Sequence, residues 1–330
     1  MGALHGSDSR GASVRFPSVA VQLTARLATL VLSLVAASIL VFVVVNVLPG
    51  DPTATILGTS AKAPAVHEVR QQLGLDRPGW ERYLAWVGGM LHGDFGTSLL
   101  SRTPVAPQLG EKLAVSGPLA LVGALISLVV AIPLGIVAGA RHRRISGLVI
   151  SALSLGGLAV PAFWAGLLLA TVFSIQLHWL PAGGFVPWSE DPLEAARSLL
   201  LPGLALGLVQ AAVLTRYVRS AIIDVLREDF IRTARAKGLT RWQALRRHGL
   251  RNAAIPVVTV LGIQLTSLLV GAIVIENVFV LPGLGRLLLQ SVGNRDLVTV
   301  QDLVLLLTAI VLVVNVLTDL SYRLLDPRIR

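Results

Sequence analysis

The sequence predicts an all-α, polytopic membrane protein with six transmembrane helices. Composition is the first reason: 54% of the 330 residues are hydrophobic and 14% are charged, against roughly 25% charged in an ordinary soluble domain. The mean hydropathy is +0.75. A single soluble core cannot bury this much apolar surface, because the surface-to-volume ratio falls only slowly with size. Lipid must therefore solvate part of the chain.

The second reason is that the apolar residues form stretches long enough to cross a bilayer, which takes about 20 residues. The predicted spans are 27–48, 119–140, 147–177, 199–215, 253–275 and 303–318. Within the third, Gly156-Gly157 and Pro161 predict a bend or a break. The first could be a secretory signal, but its apolar run exceeds the usual length of about 7–15 residues and five more spans follow, which favours a membrane span.

The basic residues predict how the spans are oriented. If residues 1–26 form a cytoplasmic tail, the inside segments 1–26, 141–146, 216–252 and 319–330 hold 19 of the 28 Lys and Arg residues. The outside segments 49–118, 178–198 and 276–302 hold the other 9. Cytoplasmic loops carry such an excess of basic residues, so we expect both termini in the cytoplasm. The formal charge of +10 is then a basic layer against anionic lipid and predicts no nucleic-acid partner.

The basic loop, residues 216–252, contains ten of these Lys and Arg residues. Ile223, Leu226, Phe230 and Ala234 recur at a spacing that predicts one amphipathic helix. Gly238 follows where a helix favours a left-handed residue after its last turn.

A second short helix is predicted to follow this glycine. Thr240-Arg241-Trp242-Gln243 is a capping-box pattern, from which we expect a helix over about 241–247. Two short helices joined at Gly238 would form a knob on the cytoplasmic face. The knob could lie on the membrane surface or dock a soluble partner.

At this loop the sequence resembles a known family. Arg232-Thr233-Ala234-Arg235-Ala236-Lys237-Gly238, followed by Trp242-Gln243-Ala244, is similar to the "EAA" loop of ATP-binding-cassette importer permeases. Arg in place of the family's Glu, and Thr in place of its first Ala, resemble the peptide/nickel branch.

Further motifs resemble the first, or B-type, permease of a peptide-importer pair. They are Leu48-Pro49-Gly50-Asp51-Pro52, Leu73-Gly74-Leu75-Asp76-Arg77-Pro78, Gly93-Asp94-Phe95-Gly96-Thr97-Ser98, Glu276-Asn277-Val278-Phe279, Pro282-Gly283-Leu284-Gly285 and Leu325-Asp326-Pro327-Arg328. The resemblance runs from about residue 20 to the end of the chain.

The resemblance implies a type I importer permease fold in a bacterial cytoplasmic (inner) membrane. It implies four kinds of partner: a homologous C-type permease, two ATPase subunits, an extracytoplasmic substrate-binding (lipo)protein and membrane lipid. The implied cargo is di- or oligopeptides. The sequence has no Gly-x-x-x-x-Gly-Lys-Ser/Thr motif for nucleotide phosphates, so ATP and Mg are expected in the ATPase subunits and no cofactor in this chain. We therefore expect a transport subunit that is not itself an enzyme.

Three sets of residues are candidates for function. Coupling to the ATPases is expected from Phe230, Thr233, Ala234, Ala236, Gly238, Leu239, Trp242 and Ala244. Polar residues in or beside spans could line a translocation path or gate; they are Gln210, Gln264, Glu276 and Asn315. Interhelical hydrogen bonds are the alternative for the two glutamines and Asn315. For Glu276 the alternative is a satisfied interfacial carboxylate or a cap on the following turn. External-loop residues could contact the binding protein or cap the pore; they are Trp80, Tyr83, Trp86 and Asp94.

Other functions remain open at this stage. The same machinery could import nickel or another small solute. A different class is an ion-coupled secondary transporter, although the predicted spans lack the ionisable residues that ion coupling usually uses. A membrane enzyme is a third class. No His-Glu-x-x-His motif is present, and no metal site is predicted.

Overall fold

The computed structural model describes residues 19–47, 64, 67, 70, 71 and 76–325. The N-terminal tail to residue 18, the motifs at 48–52 and 73–75, and the end of the C-terminal motif at 326–328 lie outside the described residues. Helices with defined bounds are α1 Val19–Val47, α2 Gly79–Leu91, α3 Val105–Ala140, α4 Ile145–Leu158, α5 Ala162–Leu169, α6 Pro192–Val225, α7 Asp229–Ala236, α8 Arg241–Ala244, α9 Leu250–Val278, α10 Leu284–Gly293 and α11 Leu297–Leu325. Two π-helical segments, Ala170–Gln176 and Leu245–Gly249, continue α5 and α8.

Five helical stretches are long and apolar enough to cross a membrane: Thr24–Asn46, Val105–Ala140, Pro192–Val225, Arg241–Val278 and Leu297–Ser321. α4 together with α5 and its π-helical continuation is long and apolar enough only as a pair, bent by 102°, which makes a sixth span if the pair crosses as one and a re-entrant loop if it does not. In the described residues, the only β feature is an isolated bridge between Thr97 and Pro104. The all-α, polytopic prediction is confirmed.

The bend in the sixth stretch follows from local chemistry. α4 ends at Leu158, directly after Gly156-Gly157, and Pro161 precedes the first residue of α5. Proline fixes its own φ and has no N–H to donate. The helices α3, α6 and α9 continue through internal prolines, whereas here the proline follows two glycines and the helix ends. The predicted break is therefore present, and it lies between 158 and 162.

The helices run past the predicted spans. α3 begins at Val105 and α6 at Pro192, so both extend well into segments expected to be external. Charged residues such as Glu111 and Lys112 interrupt the hydropathy signal without interrupting the helix. At the start of α6, the Asp191 carboxylate accepts hydrogen bonds from the N–H groups of Leu193 and Glu194, which caps the helix.

α6 forms the centre of the bundle. Of its most apolar stretch, 61% is buried, against 17–28% in the other four long spans. It packs closely on α3 because glycines remove side chains at the crossing: a Cβ built on Gly135 would lie 2.5 Å from Val218 Cβ, and one on Gly207 2.6 Å from Ile126 Cβ. Small residues allow such close approach between membrane helices.

A similar approach joins α9 to α11. A Cβ built on Gly262 would overlap the Thr318 side chain. No larger residue fits here without moving one of the two helices.

Candidate functional site

The knob comprises residues 226–249, between α6 and α9. The prediction of one helix through Leu226 and Phe230 is wrong, because α6 ends at Val225 and α7 begins at Asp229. The break turns the chain so that Ile231, not Phe230, is buried. α7 ends as predicted: Gly238 has φ +92°, a conformation that glycine adopts without steric cost.

The predicted capping box starts α8. Gln243 N donates to Thr240 Oγ1 at 3.3 Å, and Thr240 N donates to Gln243 Oε1 at 2.9 Å. The predicted end near residue 247 is wrong, because α8 continues through the π-helical segment into α9 as one helix, Arg241–Val278. Gly249 leaves room for the side chains of Leu245 and Val225, because a Cβ built on it would lie 2.8 and 3.0 Å from them.

The inner face of the knob is part of the hydrophobic core. Ile231, Ala234, Ala244 and Leu245 are at most 7% exposed and belong to one buried cluster with residues of α6, including Ile222. Two predicted coupling residues, Ala234 and Ala244, therefore lie inside the protein. Their small size lets α7 and α8 sit close to the transmembrane helices.

The outer face of the knob presents apolar side chains to solvent. Trp242 is 52% exposed and Phe230 38% exposed. Leu239 is half-buried and packs against the same core cluster. The remaining three predicted coupling residues are also exposed; they are Thr233, Ala236 and Gly238. Exposed apolar side chains on such an anchored element can contact a partner protein or the membrane surface.

Glu276 caps a helix from the end of α9. This residue is 1% exposed, and its carboxylate accepts hydrogen bonds from Ser116 Oγ at 2.5 Å, Gly285 N at 2.8 Å and Arg286 N at 3.1 Å. Leu284 N donates to Ser116 Oγ at 2.8 Å. The first N–H groups of α10, which have no partner within the helix, are thus satisfied by side chains of α3 and α9. The geometry matches the capping interpretation.

The turn between Glu276 and α10 is tightly constrained. A Cβ built on Gly283 would overlap the Glu276 carboxyl group. Val280 has φ +55°, which is rare for a β-branched residue. Leu281 N donates a hydrogen bond to the main-chain oxygen of Glu276 at 2.8 Å, which closes the end of α9 around Val280. In this helix-ending motif the left-handed residue is usually glycine.

The other polar residues of the predicted path form two separate pairs. Gln210 of α6 and Gln264 of α9 each direct the side-chain amide at the other's main-chain carbonyl, at 3.4 and 3.5 Å. Asn315 of α11 is exposed and its Oδ1 lies 3.5 Å from Thr266 Oγ1. The structure does not bring these residues and Glu276 together at one site.

The external-loop residues divide into inward and outward side chains. Tyr83 Oη lies 2.8 Å from Ser38 Oγ, and Trp86 Nε1 donates to Asp302 Oδ1 at 2.7 Å. Both rings pack with Phe42 of α1. They therefore hold α2 against α1 and α11, while Trp80 is 65% exposed.

Asp94 is also exposed, but it shapes a turn. Its Oδ1 accepts from Gly96 N at 2.9 Å. Gly93 and Gly96 have φ of +81° and +70°, which the two glycines of this motif allow.

Sequence reasoning missed two buried carboxylates at the start of α11. Asp296 caps α11 and also accepts from Ser98 Oγ at 2.5 Å and Leu99 N at 3.1 Å. An Asp before an apolar run is a helix-start signal that could have identified it. Asp302 is fully buried, and its Oδ2 has no hydrogen-bond partner in the described part of the chain. No sequence signal marks it, because its partner Trp86 is 216 residues away.

The described residues contain no group of three or more His, Cys, Asp or Glu side chains that could hold a metal ion.

Known proteins resemble this chain over nearly its whole length. The family model described as "binding-protein-dependent transport system inner membrane component" matches residues 131–330, and the model of its N-terminal part matches 20–118. The glutathione transport system permease GsiC of Escherichia coli (strain K12) is 40% identical over 305 residues, 92% of this chain and 97% of that protein. A Brucella abortus (strain 2308) protein, provisionally named a peptide transport system permease, is 40% identical over 293 residues, 89% of this chain and 93% of that protein.

Solved structures agree on the fold. A chain of the MetNI methionine ABC transporter in an inward-facing conformation superposes with a TM-score of 0.53 at 17% identity, covering 66% of this chain and 96% of that one. An amino acid ABC transporter crystallised with histidines gives a TM-score of 0.52 at 17% identity, with 66% and 94% covered. The predicted importer-permease fold is confirmed, and this multi-pass chain belongs to the family of inner-membrane components of binding-protein-dependent transport systems.

Proposed function

We propose that this permease imports di- or oligopeptides delivered by an extracytoplasmic binding protein, in an ATP-driven complex. The observation that carries the proposal is the knob, whose inner face is fixed in the core and whose outer face exposes Phe230 and Trp242. The cargo is supported by the relatives named for glutathione and peptide transport, each 40% identical to this chain. Glutathione is itself a small peptide.

The complex that we propose contains this chain, a homologous C-type permease and two ATPase subunits, with ATP and Mg bound by the ATPases. A separate binding (lipo)protein would deliver the cargo from outside. The family description, which names binding-protein-dependent transport, supports these partners. The cytoplasmic membrane, with both termini inside, is supported by the 19 basic residues of the predicted inside segments.

Coupling would pass through the knob into the transmembrane helices. Trp242 and Phe230 would enter the surface of an ATPase subunit, while Gly238 holds the turn between α7 and α8. The helix Arg241–Val278 has 38 residues, which gives it a length of about 57 Å at a rise of about 1.5 Å per residue. It joins the knob to Glu276 near the opposite end, so motion at the ATPase would reach both ends of the pore.

The candidate path and external residues take different roles in this proposal. Gln210 and Gln264 bind α6 to α9, and Glu276 positions α10. Asn315 is the exposed member of the set, and we assign it to the path or to the partner permease. Trp80 is the external residue best placed to touch a binding protein, because Tyr83, Trp86 and Asp94 serve internal contacts.

Gly238→Val tests the coupling role. A Cβ at this position would have nothing within 4 Å, so the change acts on the backbone at φ +92° and not on packing. We expect peptide uptake in reconstituted complexes to be lost, with the permease still inserted in the membrane. Gly238→Asn is the matched control, because Asn tolerates left-handed backbone far better than a β-branched residue. Wild-type uptake by Gly238→Val would refute the proposed coupling role.

Phe230→Ala together with Trp242→Ala tests the docking face. Both side chains are exposed, so the fold should survive while co-purification of the ATPase subunits falls. Leu193→Ala is the control, since this residue is 69% exposed at the start of α6, far along the helix from the knob. If the double variant retains the ATPases as well as the control does, the docking face lies elsewhere.

A further inference from the structure

A basic pocket lies between the knob and the α3–α4 turn. Its volume is about 230 Å³, below the roughly 300–1,000 Å³ of pockets that hold drug-sized ligands. Its polar lining is His142, Arg143, Arg227, Arg235 and Arg241, and three apolar side chains complete it. No carboxylate is among the lining residues, so the pocket concentrates positive charge.

The four guanidinium groups of this pocket lack protein partners. Within the part of the chain that the structure describes, none of them forms an ion pair or a side-chain hydrogen bond. Neighbouring Arg232, by contrast, lies 3.2 Å from Asp229. Like charges held around one cavity repel each other. All four side chains are exposed, so water solvates them when the pocket is empty, and a bound anion would neutralise their charge and replace water as the acceptor.

The position of the pocket indicates where the anion comes from. The 141–144 turn joins the apolar helices α3 and α4. Directly beyond it, Ile145 and Leu148 are 80% and 58% exposed, as expected of side chains that face lipid. The pocket is therefore next to the ends of two apolar helices, α3 and α4, and we expect it at the level of phospholipid headgroups.

We propose that this pocket binds the phosphate group of an anionic phospholipid. Arginine forks match phosphate oxygens in geometry and charge, and basic pockets at the cytoplasmic ends of membrane helices bind anionic headgroups. A lipid held here would contact the α3–α4 turn, the end of α6, α7 and the first residue of α8 together. It would join the knob to the membrane surface.

The test compares two double variants that lose the same charge. Arg143→Gln/Arg227→Gln removes two pocket side chains. Arg246→Gln/Arg247→Gln removes two exposed side chains of the π-helical segment that do not line the pocket. The full-length chain, purified in detergent, is titrated with phosphatidylglycerol, with phosphatidylcholine and with inorganic phosphate, and binding is measured by native mass spectrometry. Size-exclusion chromatography and circular dichroism verify that both variants are folded.

We expect wild type to prefer phosphatidylglycerol over phosphatidylcholine. Each hydrogen bond from an arginine to the phosphate contributes roughly ten-fold or more to affinity, so the pocket variant should lose about 100-fold, and the control, whose side chains do not line the pocket, should lose far less. Equal losses in the two variants would indicate diffuse surface charge and overturn the proposal, as would an unchanged preference in the pocket variant. Binding of inorganic phosphate without a preference for phosphatidylglycerol would assign the pocket to a free anion and overturn the lipid headgroup.

Discussion

Removing the carboxylate of Glu276 should detach the start of α10 from the bundle. Glu276→Ala leaves three donors without their acceptor: Ser116 Oγ, Gly285 N and Arg286 N. An unsatisfied buried donor costs about 1–3 kcal/mol. We use the lower end, because removing a buried charge also removes its desolvation cost. The expected loss is about 3–4 kcal/mol.

Glu276→Gln should be milder. Its amide oxygen can still accept from Gly285 and Arg286, but Ser116 would face an amide N–H₂ group and lose its charged acceptor. We expect a loss of about 1–2 kcal/mol, since a charge-assisted hydrogen bond is stronger than a neutral one. The order of stability is therefore wild type, Gln, Ala.

Two measurements check this order. Thermal unfolding of the purified chain in detergent should give the highest apparent Tm for wild type, a lower one for Glu276→Gln and the lowest for Glu276→Ala. Hydrogen exchange followed by mass spectrometry should speed up in the first turn of α10 and change little in α6. Glu190→Ala, at an exposed carboxylate, serves as the control for a lost charge. If Glu276→Ala matches Glu190→Ala in both measurements, the assignment of Glu276 as the cap of α10 is refuted.

Three further changes test the packing of the bundle by the same thermal assay. Gly207→Ala should destabilise the protein by about 1–3 kcal/mol, because its Cβ would lie 2.6 Å from Ile126 Cβ. The control Gly156→Ala adds a Cβ with nothing within 4 Å and should be neutral or stabilising. Similar Tm values for the two variants would contradict the tight α3–α6 crossing. Trp86→Phe should cost about 1–3 kcal/mol, since it removes the partner of the buried Asp302, and an unchanged Tm would show that this hydrogen bond contributes nothing. Val280→Gly should stabilise by about 1 kcal/mol by relieving φ +55°; a lower Tm would mean that the valine side chain outweighs its backbone strain.

Local signals predicted the features that local chemistry decides. Pro161 marks the break between α4 and α5, Thr240 and Gln243 form the capping box, and Gly238 takes the left-handed conformation after α7. Each depends on residues within a few positions of one another, so the sequence shows it directly.

Features decided by packing could not be predicted in this way. The periodicity around Phe230 favoured one continuous helix, but burial of Ile231 against α6 outweighs it, and the chain turns at 226–228. Nothing in the sequence pairs Ser116 with Glu276, because 160 residues separate them. Hydropathy likewise underestimated α3 and α6, whose helices continue beyond the apolar residues.

The close contact between Gly262 and Thr318 gives the helix Arg241–Val278 a fulcrum. With a rise of about 1.5 Å per residue, the fulcrum lies roughly 31 Å along the axis from Arg241 and roughly 24 Å from Val278. A helix that rocks about this point is a lever with arms of similar length. A shift at the knob would then move the Glu276 end by about three quarters as much in the opposite direction.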